Sequence, residues 1–556
     1  MRKRFGLAFG RNFPFTGGAL CLFVLAIAVD VAMSALASSA GGLPDNRAQP
    51  LPTLLAQAAA AKPQQGGTLR FAIVNDPRPY PIIAAGAFNT LLVQKTMFNG
   101  LTRPDPQNST PTADLAASWT VSRDLLTWTF QLRRGITWHD GKPFTSADVK
   151  FTFDTMMDPK VNARYRGNFP GLQRTEAVGD HTVRFVFDNP LSGFPAMLAY
   201  NAYIVPKHLL EGQDLNAPAD FYRHPIGTGP FRFKEQMRGS HLTVEANPRY
   251  FEGRPLLDAI VFKVLPDPNT QIAQFRAGEL DLTWLEAPLL PALKAVPGVE
   301  INFGRQVNYY MVDLNNRLPI FADRRVRQAV AYAIDRKAII EQVFLGTAEL
   351  ANGPISPILK PYYTPEVTSY AYDPAKAKKL LSDAGWTPGS DGLLEKGGKK
   401  FAFTLESYAG TVTDKVAVVV HQYLRQVGMD VTLQYTNVPQ MYEKVLAGKH
   451  EAMVGWWISP SDPDQTAFWQ TGGGFNTSGY ANPEVDRLLS EGRATVDVSK
   501  RATAYHKLQK ILAEDVPYVF LCYPMEIRAV AARVQGLPPV GLRDGLAYAH
   551  KLWLKQ

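Results

Sequence analysis

The stretch of this 556-residue chain that is richest in groups suited to binding chemistry is residues 454–469, VGWWISPSDPDQTAFW. Trp456 and Trp457 end a predicted strand and lead into a Pro/Ser/Asp loop. In an open parallel sheet, ligands bind just beyond the carboxyl ends of the strands. Indole rings at that place offer a ligand a large apolar contact and one hydrogen-bond donor each. Because adjacent residues of a strand point to opposite faces, we expect one of the two tryptophans, and not both, to face a ligand.

The same loop carries two carboxylates, Asp462 and Asp464, which could form a pair for acid–base or metal chemistry. Pro463 between them, and the missing ladder of further oxygen ligands, favour a capped turn instead. The nine histidines are scattered, without a pair at the i, i+3 or i, i+4 spacing of a local metal site. We therefore predict no metal site and no cofactor. A metal site assembled from histidines that are distant in the sequence remains an alternative. His139, which lies in a turn beside Asp140, is interpreted as structural.

No catalytic motif is present in the sequence, which contains neither HExxH, nor a GxSxG elbow, nor a Walker lysine loop. Residues 225–235, PIGTGPFRFKE, are not a dinucleotide fingerprint, because the third glycine is missing and Pro230 blocks a helix start. Gly227 and Gly229 instead predict a sharp turn into a strand. The sequence thus predicts a binding protein and not an enzyme, with a hydrolase as the main alternative.

The charge and composition of the chain limit the classes of partner that it is expected to bind. The net charge of +9 falls to +6 without residues 1–37, and it is spread along the chain without a Lys/Arg run. Nucleic-acid binding would require a clustered basic patch, so we predict no nucleic-acid partner. The chain is 46% hydrophobic and long enough for two or more domains.

The N-terminus has the three parts of an export signal. Residues 1–37 contain four basic residues, an apolar run at 17–29 and the small-x-small sequence Ala-Leu-Ala at 35–37. An uncleaved membrane anchor is the competing interpretation, but the run is shorter than the ~20 residues of a span, and Asp30 interrupts it. We predict cleavage after residue 37, with a second possible cut near Ala61.

Strands alternate with helices in the parts of the chain that must position the Trp loop, which is the segment that follows Trp456 and Trp457. A strand at 259–265, a helix capped by Asp267 and a strand at 280–285 form a βαβ unit, which predicts a parallel sheet. The same alternation between residues 307 and 522 predicts a doubly wound α/β lobe. Tyr309 and Tyr310, at the beginning of one of its strands, complete the set of candidate ligand-binding residues Trp456, Trp457, Ser459 and Asp462.

Residues 118–153 form a strand, a turn and a capped helix in direct succession. Residues 127–133 alternate apolar with polar, Asp140-Gly141 supplies a turn, and Thr145 with Asp148 forms a capping box. The segment resembles the signature of the bacterial extracellular solute-binding proteins of family 5, the periplasmic receptors of ABC importers of the oligopeptide, dipeptide and nickel type. The residues that carry the resemblance are Trp119, Trp128, Phe130, Gly135, Trp138, His139, Asp140, Gly141, Phe144, Thr145, Ala147 and Asp148. GGTLRFAI at 66–73, RRVRQAVAYAIDRKAI at 324–339 and YDPAKAKKLLSDAGW at 372–386 extend the resemblance, so that it spans about residues 66–556.

The resemblance implies an α/β, two-lobed periplasmic binding protein fold, type II of the large cluster with an extra subdomain and two hinge crossings. It implies a first lobe at 62–95, 225–306 and 523–556, an inserted subdomain at 96–224 and a second lobe at 307–522. The implied function is capture of a small peptide or peptide-like solute by a monomer in the periplasm, followed by delivery to the permease subunits of an ABC importer. Opines, nickel chelates, haem and oligosaccharides are ligands of the same family and remain alternatives.

One position departs from the family pattern. Dipeptide and oligopeptide receptors carry an aspartate in the Trp loop that pairs with the ligand's α-ammonium, and that position falls on Ser459 here. A serine cannot neutralise a cation. Either the charge comes from elsewhere in the site, or the ligand is not an ordinary short peptide.

Overall fold

The computed structural model describes residues 62–82, 88–163, 165–459, 461–538 and 546–555. The export signal expected at residues 1–37, with its alternative cut near Ala61, lies outside the described residues. None of the helices within the described ranges combines the length and the apolar character that a membrane crossing requires.

The chain up to residue 305 builds one large sheet, a separate four-stranded sheet and short connecting helices. In chain order the elements are β1 (Thr68–Ile73), α1 (Phe88–Met97), β2 (Thr102–Pro104), β3 (Pro111–Ala113), β4 (Ala116–Val121), β5 (Thr127–Leu132), α2 (Ser146–Met157), β6 (Leu172–Ala177), β7 (Thr182–Phe187), α3 (Phe194–Asn201), α4 (Lys207–Leu210), α5 (Ala219–Arg223), β8 (Phe231–Met237), β9 (His241–Ala246), β10 (Ala259–Val264), α6 (Pro268–Arg276), β11 (Leu282–Leu285), α7 (Leu290–Lys294) and β12 (Val299–Arg305).

The rest of the chain builds a second large sheet and then returns to the first. Its elements are β13 (Asn308–Leu314), α8 (Pro319–Ala322), α9 (Arg324–Ala333), α10 (Arg336–Gln342), β14 (Ala348–Leu350), α11 (Pro374–Asp383), β15 (Thr387–Pro388), β16 (Leu394–Lys396), β17 (Lys399–Lys400), β18 (Ala402–Tyr408), α12 (Val412–Gln426), β19 (Asp430–Thr436), α13 (Val438–Leu446), β20 (Ala452–Ile458), α14 (Thr466–Trp469), α15 (Pro483–Arg493), α16 (Val498–Asp515), β21 (Tyr518–Ala531), β22 (Val534–Gln535) and β23 (Trp553–Leu554).

The sheet of the first lobe has the order β11-β1-β10-β9-β8. Its centre is parallel, because β1 lies between β10 and β11 and runs in the same direction as both. Helix α6 connects β10 to β11, which completes the βαβ unit expected from the sequence. The Asp267 side chain caps this helix by accepting hydrogen bonds from two backbone N–H groups. Leu69, Phe71 and Ile260 are fully buried in the core beneath this sheet.

The sheet of the second lobe has the order β19-β18-β20-β13 and is mixed. Strands β19 and β20 run parallel to β18, whereas β13 runs antiparallel to β20. The alternation of strands and helices expected for this lobe is present, and the antiparallel direction of β13 at one edge arises because β13 enters from the other lobe and not through a covering helix. Helix α12 covers the parallel part and buries Val416, Val420 and Leu424, which are spaced four residues apart.

One long strand, β21, belongs to both large sheets. Its first part, from Tyr518 to Cys522, pairs with β13, while residues 527–530 pair with β11. Strands β12 and β13 also lie in different sheets, although only residues 306–307 separate them. Two chain segments thus connect the lobes side by side, which is the two-lobed architecture with paired crossings.

The inserted segment carries its own sheet, β4-β5-β7-β6, with α2 packed against it. The Thr145 N–H donates to Asp148 Oδ2 at 2.9 Å, so the expected capping interaction begins the helix. Phe144 and Val149, before and within its first turn, are both buried in the same apolar cluster. Gly141 has φ +89°, which is the left-handed conformation that the turn requires.

His139 ties this insert to the first lobe. The Gly227 N–H donates to His139 Nδ1 at 3.1 Å, so Nε2 carries the proton and donates to the Gly229 carbonyl at 3.0 Å. The two glycines are required at this contact, since a Cβ at Gly227 would lie 1.9 Å from the Met97 carbonyl oxygen. Burial lowers the pKa of His139 to about 4, so the ring is neutral near pH 7.

Candidate functional site

A cavity of about 260 Å³ lies where the two large sheets meet. Both crossing segments contribute to it, through Gln306 and Asn308 on one side and the middle of β21 on the other. The first lobe adds Trp284, which lies in β11, and Glu286, which directly follows that strand. The complete lining consists of Trp284, Leu285, Glu286, Ala287, Gln306, Asn308, Tyr310, Phe344, Thr347, Val412, Trp456, Pro524, Met525, Glu526 and Ile527.

Tyr310 and Trp456 form the wall of the cavity that belongs to the second lobe. They are directly opposite each other on β13 and β20, and both are partly exposed. The Tyr310 ring packs edge-on against Phe344, with ring centroids 4.9 Å apart. The two residues are fixed by a regular antiparallel ladder, which holds their rings on one face of the sheet.

Tyr309 and Trp457 are the next pair in the same ladder and point to the other face. Tyr309 is completely buried and Trp457 is 5% exposed. The Trp457 ring contacts Phe468 within an apolar cluster of the second lobe, and it also contacts the exposed ring of Phe475. Neither is among the residues that line the cavity, so the structure brings Trp456 to it and places Trp457 in the core.

Ser459 and Asp462 lie beyond the end of β20 and are also buried. The Ser459 hydroxyl accepts a hydrogen bond from Gln465 Nε2 at 2.7 Å. The Asp462 carboxylate is held by both terminal nitrogens of Arg501, at 2.5 and 2.9 Å. Asp462 also caps the turn, because it accepts from the Asp464 N–H at 3.0 Å. Its charge is therefore satisfied inside the protein, and the capped turn expected for this sequence is present.

Two carboxylates of the cavity were not expected from the sequence. Glu526 is 4% exposed, and its Oε1 accepts a hydrogen bond from Arg528 Nε. Glu286 lies on the exposed rim, where surrounding protein raises the pKa of its carboxyl above the usual range, with Lys415 acting in the opposite direction. The sequence contains one indication that Glu526 has a special role. Glu526 and Arg528 are charged residues two positions apart, on one face of an otherwise apolar strand.

The insert reaches the second lobe beside the Trp loop. Ser192 Oγ donates to the Gly492 carbonyl at 3.1 Å, and the Ser192 N–H donates to the Arg493 carbonyl at 3.3 Å. The neighbouring Gly193 packs so closely on Asp462 that a Cβ there would lie 2.6 Å from the carboxylate carbon. The insert therefore touches the second lobe at the loop that leads from the cavity wall.

A second cavity of about 450 Å³ shares no lining residue with the first. It lies in the second lobe between Arg317 and a glycine-rich loop at 472–474. The Arg317 guanidinium is already used to hold this loop, since Nη1 donates to the Thr477 carbonyl at 2.8 Å. Across the described part of the chain, no group of three or more His, Cys, Asp or Glu side chains is arranged to hold a metal ion.

Comparison with known proteins finds relatives over most of the chain. Residues 110–479 match the model for the bacterial extracellular solute-binding proteins, family 5 Middle. The oligopeptide-binding protein AppA of Bacillus subtilis (strain 168) is 31% identical over 510 residues, which cover 90% of this chain and 94% of that protein.

Solved structures agree in fold over nearly the same length. The structure of AppA from Bacillus subtilis in complex with a nonapeptide has a TM-score of 0.76 at 30% identity, covering 89% of this chain and 100% of that one. NikZ from Campylobacter jejuni in complex with Ni(L-His) has a TM-score of 0.75 at 26% identity, covering 87% and 99%. The resemblance noted in the signature segment is thereby confirmed, and the chain belongs to the bacterial extracellular solute-binding proteins of family 5, with their two-lobed periplasmic binding protein fold.

Proposed function

We propose that this protein captures a peptide or peptide-like solute between its two lobes and delivers it to an ABC importer. The observation that carries the proposal is the aromatic cavity at the paired crossings, to which both lobes contribute. Its relative AppA was solved with a nonapeptide, which supports a peptide as the ligand. The cavity is smaller than the roughly 300–1,000 Å³ that encloses a whole drug-sized ligand, so it suits one end or one residue of a longer solute.

The proposed mechanism is lobe closure about the two crossings. The lobes are 62–95 with 225–306 and 523–556, carrying the insert at 96–224, and 307–522. A ligand that contacts both lobes binds the closed form better and so increases its population. The permease subunits of the importer then recognise the closed monomer. The main chain of an extended peptide provides hydrogen bonds, while side-chain pockets give tolerance.

A chelated metal ion is the second candidate ligand. NikZ, which has the same fold, was solved with Ni(L-His). Opines, haem and oligosaccharides belong to the same set of alternatives to a peptide. A hydrolase is the alternative from another class of protein.

Native mass spectrometry of the purified protein, incubated with a pool of peptides of three to nine residues, tests the proposal. We expect intact peptides to be retained and released unchanged. Retention of a metal chelate in place of any peptide would select the second candidate. Cleaved products would show a hydrolase.

Export to the periplasm belongs to the same proposal, and it rests on the signal-like residues 1–37. The intact mass of the secreted protein is expected to lack these residues. A full-length chain retained in the membrane would contradict export by cleavage.

A further inference from the structure

The charged residues that line the cavity at the crossings are both acidic. They are Glu286 on the rim and Glu526 in the interior. Among the described lining residues there is no Lys, Arg or His. Arg528 offsets the charge of Glu526, so the cavity keeps the net negative charge of Glu286. Lys415 and Asp414, at the start of α12, influence Glu286 with opposite signs, and the effect of Lys415 is the larger of the two.

Two residues of the cavity lining carry buried acceptor atoms without donors. Glu526 Oε2 is buried and has no hydrogen-bond partner among the described residues, since Arg528 bonds to the other oxygen. Asn308 is 7% exposed; its amide nitrogen donates to Gln306, and its Oδ1 is likewise buried without a partner among the described residues. Buried polar atoms are satisfied by protein or ordered water in nearly all native structures, so these two oxygens have the capacity to accept a hydrogen bond from a donor at this site.

The walls of the cavity also suit a cation. The rings of Tyr310 and Trp456 form one side, and Trp284 lies on the other. Aromatic faces attract cations through the ring quadrupole, most strongly for tryptophan. The Arg528 guanidinium lies 5.4 Å from the centroid of the Trp284 ring, so this arrangement already stabilises one cation at the edge of the site.

We propose that the cavity binds a cationic N–H donor of the ligand, an alkylammonium or guanidinium, through Glu526 and Glu286 with the Asn308 carbonyl oxygen as a further acceptor. The inference rests on the proposed function and identifies the charge that Ser459 lacks. The recognition carboxylates lie on the first lobe and the crossing strand, instead of in the Trp loop of the second lobe. Asp462 does not contribute, because Arg501 occupies both of its oxygens.

The test uses the peptide retained in native mass spectrometry, synthesised in forms that each lose one cationic group. The amino terminus is acetylated in one form, and each lysine or arginine is replaced by norleucine or citrulline in the others. We expect one neutralised form to bind at least about tenfold more weakly than the parent in calorimetric titration. Loss with the acetylated form identifies the α-ammonium, and loss with a side-chain form identifies that side chain.

The variants Glu526→Gln and Glu286→Gln show whether these carboxylates are responsible. In at least one of these two variants, the parent peptide and the neutralised form that lost affinity for the unmutated protein are expected to bind within about threefold of each other. Glu300→Gln, which removes an exposed carboxylate of the adjacent strand β12, is the matched control and should keep the full preference. Glu286 lies on the rim, so its variant remains informative even if Glu526→Gln fails to fold.

Three results would overturn the inference: a retained peptide without a cationic group, neutralised forms that all bind the unmutated protein as well as the parent, or a preference that persists in both glutamine variants. Each of these leaves the peptide bound, so each is distinct from failure of the proposed function, in which no peptide is retained at all.

Discussion

Trp456 and Trp457 are neighbours in the chain but have different roles in the structure, and substitution separates them. Trp456→Ala removes a wall of the cavity, and loss of a central indole typically weakens binding by at least ~2 kcal/mol, about thirtyfold. The free energy of unfolding of the Trp456→Ala protein should change little, because the Trp456 side chain is partly exposed. Calorimetric titration and urea unfolding measure the two effects.

Trp457→Ala is the matched comparison. Its ring is 5% exposed within the core, so truncation should cost ~3–5 kcal/mol of unfolding free energy. Peptide affinity measured below the unfolding transition is expected to stay close to that of the unmutated protein. If instead Trp457→Ala impairs binding and Trp456→Ala does not, the ligand lies on the opposite face of the sheet.

Asp462 is predicted to act on stability and not on ligand charge. Asp462→Asn leaves the Arg501 guanidinium buried without its counter-charge, and breaking such a pair typically costs ~3–5 kcal/mol. Glu491→Gln, which removes an exposed partner of Arg487, is the control and should leave the unfolding midpoint unchanged. An Asp462→Asn protein of normal stability that discriminates poorly between free and acetylated peptides would show that Asp462 binds the ligand.

The sequence could identify the Trp loop as part of the site but not the side chains that complete it. Period-two alternation shows that one tryptophan faces away, yet it does not show which. Asp462 pairs with Arg501, 39 positions along the chain, and only the fold brings Arg501 to it. Glu526 lies in β21 more than 60 residues from the loop, where it reaches the cavity because that strand belongs to both lobes.

At the scale of the elements, the contact between the insert and the first lobe is expected to be sensitive to pH. The folded-state pKa of His139, about 4, lies below the ~6.5 of an unfolded chain, so on acidification the unfolded chain binds a proton first. Stability is therefore complete above pH ~6.5 and is lost as the pH falls towards 4, by about 3 kcal/mol from this group. Urea unfolding between pH 4 and 7 measures the loss.

His139→Asn provides the comparison, because the amide keeps a hydrogen-bonding group without titrating. The variant should be less stable at pH 7 but should lose less stability between pH 6.5 and 4. Burial also lowers the pKa of His550 to about 4, and this contribution is common to both proteins. Equal losses in the two proteins would show that folding does not lower the pKa of His139.

Elements defined by local chemistry are those that the sequence predicts well. Thr145 and Asp148 begin α2, and Gly141 makes its preceding turn, because caps and turns depend on a few adjacent residues. The direction of β13 could not be predicted in the same way. It depends on the path of the chain between lobes, and strand-helix alternation does not record that path.

At the scale of the whole molecule, the contact of Ser192 with Gly492 and Arg493 joins the insert to the second lobe, and we interpret it as a contact of the closed form. The insert moves with the first lobe in the proposed mechanism, so we expect these hydrogen bonds to form when the lobes approach each other. We expect the radius of gyration from small-angle X-ray scattering to decrease when the retained peptide is added. A radius that is unchanged at saturating peptide would contradict closure.

Gly193 allows closure to be tested without altering the cavity. Its φ of −78° is open to any residue, but a side chain there would meet the Asp462 carboxylate in the closed form. Gly193→Asp adds both bulk and a like charge at this contact, so it should weaken peptide binding by about tenfold or more. Its radius of gyration should remain at the larger value when peptide is added at the concentration that compacts the unmutated protein.

Gly167→Asp is the control, because a Cβ at Gly167 of the same insert meets nothing within 4 Å. If both variants bind and compact like the unmutated protein, the contact between Gly193 and Asp462 is not part of closure.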